Sequence, residues 1–226
     1  MKNLLLLLSL SLTLNCLAQE KPITSTERHI FWQPNVKLTR LDYQGKISPE
    51  VEKIMTDYNL TALASVGIWS VLDIPKKKKD RYTNYEIAYF VPAFDKATSS
   101  LKTIDTIQIE IQNLYFDICE LSARFARKEL KELQDTSKSV GAISIMYTTI
   151  KDQMHQKRIS MYKQYFKEVI EDRIDGAFLK WRKQINEALE QSKEWATTPK
   201  ECYRFVLQKP VEDGYIMAPT LIEPLK

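Results

Sequence analysis

The stretch Ile111-Gln112-Asn113-Leu114-Tyr115-Phe116-Asp117-Ile118 decides the fold. It lies in a window, Ile104 to about Gln134, where apolar residues recur at Ile104, Ile107, Ile111, Leu114, Ile118, Leu121 and Phe125. Alternating steps of three and four place them on one stripe of a helix. The window therefore predicts a central helix with that stripe turned into the core.

The flanking segments supply what the helix packs against. Val36 to Tyr43 reads as a strand, and Gln44-Gly45-Lys46 as a turn. Ser48-Pro49-Glu50-Val51-Glu52 is a helix start, with Ser48 as cap and Pro49 in the first position, and the helix runs to about Tyr58. Leu60 to Ile74 and Tyr85 to Val91 are β-rich runs that predict an antiparallel pair. Their connection carries the Lys76–Lys79 run, read as a solvated loop. Pro92 and Ala97-Thr98-Ser99-Ser100 break the pattern before the central helix. A second helical pattern begins near Val140 and continues past Trp181 to Leu189, with a split expected between Val169 and Gly176. Beyond Ala196 four prolines preclude a long helix, and Tyr203 to Leu207 reads as one more strand.

Composition bounds the function. The chain has 226 residues, of which 44% are hydrophobic and 27% charged, as in ordinary globular proteins. The net charge of +4 is small, and no basic patch alternates with aromatics, so nucleic acid is excluded as a partner. No glycine-rich phosphate loop or other cofactor motif is present. Residues 1–18 read as a signal peptide: Lys2 is followed by the apolar Leu4 to Leu14, with cleavage after Ala18. That run is shorter than the ~20 residues a spanning helix needs, and no later segment could cross a membrane. The expected location is periplasmic or secreted. A rival reading has Cys16 lipidated and the chain a lipid-anchored envelope protein, although Asn15 makes a poor lipobox. Cys119 and Cys202 remain after cleavage, and either pair in a disulfide or sit as small core residues.

Chemistry, if present, belongs on the central helix. A zinc peptidase of the H-E-x-x-H type needs two imidazoles one turn apart, and a carboxylate beside the first to take a proton from metal-bound water. Ile111 to Ile118 resembles the helix of a bacterial exported domain-of-unknown-function family, number nine hundred and twenty-two. Its members are described as zinc-dependent peptidases with an H-E-Q-x-H-F-D-I helix. Phe116-Asp117-Ile118, Glu120-Leu121 and Ala123-Arg124 match that pattern. Leu41-Asp42-Tyr43-Gln44-Gly45 is similar to the family's early Asp-aromatic-x-Gly turn, and Ala62 to Trp69 and Val91 to Phe94 to its strands. Downstream, Tyr165 and Trp181 align without a gap, and the third histidine position then holds Glu171.

The resemblance implies an α+β, zincin-like fold, with a small antiparallel sheet on a central helix and a long C-terminal helix or helix pair. It covers about Phe31 to Leu189, within a degenerate peptidase-like domain at 19–195 that is followed by a Pro-containing extension at 196–226. The departures remove the chemistry. The first histidine position holds Ile111, the glutamate position Gln112 and the second histidine position Tyr115. Isoleucine cannot bind a metal, glutamine is no base near neutral pH, and a protonated tyrosine is a poor ligand. The chain's two histidines, His29 and His155, form no close ligand pair. No catalytic residue, metal site or cofactor site is therefore assigned. The expectation is a non-catalytic exported protein that binds a protein or peptide partner over Ile111 and Tyr115, or serves a structural role. The alternative is a hydrolase with an atypical ligand set drawn from Glu110, Glu120, Glu168 or Glu171. Glu120 and Arg124 are otherwise read as a solvated i,i+4 pair.

Overall fold

The computed structural model describes residues 23–219. The expected signal peptide, with Cys16, and the end of the C-terminal extension at 220–226 lie outside the described residues. Six strands occur: β1 (His29–Phe31), β2 (Ala62–Leu63), β3 (Val66–Pro75), β4 (Ile87–Asp95), β5 (Ser100–Leu101) and β6 (Tyr215–Met217). Four of them form an antiparallel sheet in the order β1-β4-β3-β6, and β2 pairs with β5. Among the described residues the five α-helices are α1 (Pro49–Asp57), α2 (Thr106–Ser137), α3 (Ala142–Phe166), α4 (Ala177–Gln191) and α5 (Pro199–Leu207). The fold class is α+β, with a small antiparallel sheet.

β4 is covered on both faces, and its sequence shows why it reads as one apolar run. Side chains alternate between the faces of a strand. Phe90 and Phe94 pack against Tyr115, Cys119 and Phe116 of α2. Tyr89, Val91 and Ala93 pack on the other face with Phe31 and with Cys202 and Phe205 of α5. Each fully buried phenylalanine contributes about 1.5–3 kcal/mol. Pro92 is tolerated inside this strand because its missing N–H would face the β1 side, where β1 has ended at Phe31. Its carbonyl accepts from Trp32 N at 3.0 Å.

α2 starts two residues later than its apolar pattern. Asp105 caps it, accepting from Ile107 N at 2.9 Å and Gln108 N at 3.2 Å. Ile104 precedes the helix and Ile107 stands in its first turn, and they are 64% and 66% exposed instead of buried in the stripe. In its middle α2 is buried on every side, and Gln112, Asn113, Glu120, Ser122 and Arg124 are buried along with the apolar residues. α3 runs back along it, a π-helical turn at Lys167–Glu171 ends α3, and Gly176, at φ 71°, precedes α4. The split falls where the sequence placed it. α4 buries Trp181 and Ile185 against Ile111, Leu114 and Ile118.

Two expected strands are absent: one segment is irregular with a single 3-10 turn, and the other is an α-helix. Val36 to Tyr43 forms no strand, and Arg40–Asp42 is a 3-10 turn closed by Asp42, which accepts from Thr39 N at 2.7 Å. The backbone of Leu38 is bonded by a side chain of α2: Leu38 N donates to Asn113 Oδ1 at 2.8 Å and Asn113 Nδ2 donates to Leu38 O. Tyr203 to Leu207 lies in α5, which Thr198 and Glu201 start as a reciprocal capping box with Pro199 in the first turn. The segment from Ala196 thus packs on the sheet through α5, and β6 pairs with β3. No helix among the described residues is long and apolar enough to cross a membrane.

Candidate functional site

The motif positions of α2 are structurally occupied. Ile111 is buried, and its carbonyl accepts the Tyr165 hydroxyl at 2.9 Å. Tyr165 stands edge-on to Trp181 with ring centroids 5.6 Å apart. The two residues on which the downstream segment aligns therefore do face the motif helix. Gln112 Oε1 accepts from Ala64 N at 3.1 Å, which holds the entry to β3. Tyr115 is 9% exposed and lies against Tyr162, with centroids 4.2 Å apart. Arg158 of α3 donates to its hydroxyl at 2.7 Å. Burial raises the phenol above its ordinary range, so it keeps its proton. Glu171, the fourth candidate, is exposed at the end of the π turn.

The other carboxylates proposed as ligands have separate partners. Glu168 accepts from Trp181 Nε1 at 2.8 Å and Gln164 Nε2 at 2.9 Å. Glu110 is half-exposed, 3.9 Å from Arg182. Glu120 is fully buried. Its Oε1 accepts from Arg124 Nε at 2.8 Å, Arg127 Nη2 at 2.9 Å and Thr197 N at 2.9 Å, and its Oε2 accepts from Thr197 Oγ1 at 2.6 Å. The reading of Glu120 and Arg124 as a solvated pair is thereby corrected. The i,i+4 spacing is right, but α2 has no solvent on that face, because the connection between α4 and α5 covers it. Among the described residues, no three His, Cys, Asp or Glu side chains come together as a group that could hold a metal ion.

Asp117, a matched position, joins the two ends of the chain. It accepts from Trp32 Nε1 at 2.8 Å and from Arg182 Nη1 at 2.6 Å. Burial raises its carboxyl above the ordinary aspartate range against these two hydrogen bonds. The sequence offered no sign of Trp32, Arg158, Arg182 or Thr197 as partners, since each lies far along the chain from the group it serves. His29 sits 3.8 Å from Asp95 beside Trp69, and His155 is partly buried on α3. Burial lowers the pKa of both imidazoles.

Cys119 and Cys202 are free and buried. The sheet separates them: Cys119 packs with Phe90 on the α2 face, and Cys202 packs with Val91 on the α5 face. The disulfide alternative is overturned, and the core reading stands for Cys119. Burial pushes both thiols up to about 12. In the folded protein at pH 8, alkylation of these two residues by iodoacetamide should be slowed by more than roughly a hundredfold relative to the urea-unfolded chain. Peptide mapping gives the rates. Fast labelling of either thiol in the folded state would contradict the packing.

Two hollows lie toward the ends of α2, besides one of about 370 Å³ between α2 and α3. One is a cleft of about 320 Å³ lined by Ile107, Ile111, Val169, Arg173, Ile174 and Leu179, among others. Ile107, Ile174 and Leu179 are 66%, 53% and 71% exposed. The first motif position thus lies at the base of an apolar surface that Tyr115, four residues on, does not reach. The other is a cavity of about 590 Å³ near the opposite end of α2, lined by Glu86, Arg127, Leu130, Ile143 and Trp195, among others. No protein-family model, curated protein or solved structure matches the chain.

Proposed function

We propose that the chain is a non-catalytic domain of peptidase-like, zincin-like ancestry. In this reading it acts outside the cytoplasm by holding an apolar segment of a partner polypeptide over Ile111. The ancestry is supported by the order of its parts: the segment Leu41 to Gly45, the sheet, the motif helix, then Tyr165 and Trp181 folded back onto Ile111. Export is supported by the leader pattern at residues 1–18.

The observation that carries the binding role is the exposure of Ile107, Ile174 and Leu179 around one cleft. Exposed apolar side chains that cluster beside a concave surface are the mark of an interaction site. Arg173 and Asp175 on the rim can hydrogen-bond an extended backbone lying across it.

The test is fluorescence anisotropy with dye-labelled hexapeptides, one set rich in Leu, Ile and Phe and one rich in Ser and Glu. The apolar set should bind better. The double substitution Ile174→Asp, Leu179→Asp should weaken it by about tenfold or more. Both side chains are exposed, so the melting temperature should stay close to wild type. Equal binding of the two peptide sets would sink the reading, and progressive cleavage of either set would sink its non-catalytic part. A second reading, a scaffold with no ligand, is favoured by the closed packing of Tyr115 against Tyr162 and Arg158. It predicts that neither peptide set binds.

A further inference from the structure

The larger cavity is built between the start of β4, the C-terminal half of α2, the first turn of α3 and the connection into α5. Its volume of about 590 Å³ falls in the range of small-molecule sites. Its walls combine apolar side chains, Leu130 and Ile143, with the aromatic residues Tyr85, Trp195 and Tyr215.

The charges on those walls are not balanced. Arg127 is consumed: it donates to Glu120, to Thr197 Oγ1, to Trp195 O at 2.7 Å and to Phe90 O. Lys131 is paired with Asp135. Glu201 caps α5. Glu86 is different. It is 8% exposed, its Oε1 accepts from Ser144 Oγ at 3.1 Å, and its Oε2 is buried with no hydrogen-bond partner among the described residues. No Lys, Arg or His nitrogen among them forms an ion pair with it. A buried carboxylate oxygen left unpaired is costly, and an unmet acceptor of this kind calls for a donor from outside the described residues. Glu194 on the same wall is exposed and adds a second uncommitted negative charge.

We infer that this cavity binds an organic cation, an alkylammonium or alkylguanidinium group on an apolar stem. The head lies at the Glu86 carboxylate, which turns Oε2 toward the cavity to meet it, and the stem lies along Leu130, Ile143 and the aromatic wall. An ammonium or guanidinium supplies the donor that Glu86 lacks as a charge-assisted hydrogen bond. The faces of Trp195 and the two tyrosines favour a cation over a neutral group of the same shape. The site is independent of the cleft over Ile111, since Arg127 to Gln134 lie roughly 24–35 Å farther along α2 at the helical rise per residue.

Titration of the full-length chain with pentylamine and butylguanidine, followed by amide chemical shifts, tests this. 1-Pentanol serves as the neutral isostere, and N-acetyl-lysine amide shows whether a protein side chain can supply the same head group. Saturable shifts at Ala88, Ile143 and Trp195 are expected with the cations, and binding of pentanol should be weaker by about tenfold or more. Glu86→Gln should abolish the preference for the cation. Gln134→Trp, which adds bulk to the cavity wall without touching Glu86, should weaken binding even if Glu86→Gln fails to fold. Equal binding of amine and alcohol, or no saturable binding of either cation, overturns the inference. Glu86 is then a cap for the first turn of α3, where Gly141 offers no side chain of its own.

Discussion

Replacing Glu120 with alanine should lower the stability of the folded chain by about 3–5 kcal/mol, the usual result of removing one partner from a buried ion pair. Glu120 is the sole carboxylate bonded to both Arg124 and Arg127, and their side chains are 4% and 8% exposed. Removing it leaves two guanidinium groups inside the protein. Their remaining contacts are neutral: Arg124 donates to Leu189 O and Ser192 Oγ and lies over the Trp32 ring, and Arg127 donates to backbone carbonyls and Thr197. Neutral acceptors do not offset two buried charges. Thr197 also loses both of its bonds to Glu120 and keeps only the one from Arg127, so the connection between α4 and α5 is loosened with it. Against a total stability of about 5–15 kcal/mol, this is a large fraction. The melting temperature should fall by roughly 6–20 °C for a chain of this size. Hydrogen exchange should speed up first at residues 193–198. Glu120→Gln keeps the shape and part of the acceptor capacity, and should lie between wild type and alanine. A loss below about 1 kcal/mol for alanine, typical of an exposed pair, would mean that the network is hydrated after all.

The same glutamate shows how far the sequence can be read. The spacing of Ile111, Leu114 and Ile118 identified the central helix, because periodicity depends only on neighbours along the chain. Ser48 before Pro49 identified α1 for the same reason. The sequence places the break between Val169 and Gly176, although no residue there compels a stop, and in the structure Gly176 takes a left-handed backbone just before α4. What covers the polar face of α2 was not legible. Glu120 and Arg124 at i,i+4 look the same on an exposed helix as on a buried one, and the difference is made by Leu189, Ser192 and Thr197, about 65 to 77 positions away. Tyr203 to Leu207 looked like a strand because β-favouring Tyr, Phe and Val sit between prolines. Thr198-Pro199-Lys200-Glu201 was the local signal for a helix start, and the count of prolines hid it. The candidate site was legible as a set of positions, Ile111, Gln112, Tyr115 and Glu171, and not as an environment. Arg158 against Tyr115 and the unpaired Glu86 both arise from contacts between elements that no motif encodes.

The second large effect is expected at Asp73 and Arg204, which join β3 to α5 through a two-pronged contact. Arg204 Nε donates to Asp73 Oδ2 at 2.6 Å and Nη2 donates to Oδ1 at 2.7 Å. Their side chains are 1% and 2% exposed. Asp73→Leu alone strands the guanidinium, and Arg204→Met alone strands the carboxylate between Ile87 and Met217 in the sheet. Each single change should cost about 3–5 kcal/mol. The double substitution removes both charges and fills the space with apolar atoms. Since desolvating two ions can outweigh their attraction, the double variant should recover most of the loss, to a stability between wild type and about 1–4 kcal/mol above it. Urea unfolding of the four proteins closes the cycle, and a coupling of several kcal/mol is the expected result. Additive losses would show that the two residues stabilise the chain through separate contacts. A double variant near wild-type stability that had lost the docking of α5, seen as exposure of Cys202 to alkylation, would point elsewhere. In that case the pair specifies where α5 sits, while the apolar contacts of Phe205 with Phe31 and Trp69 supply the stability.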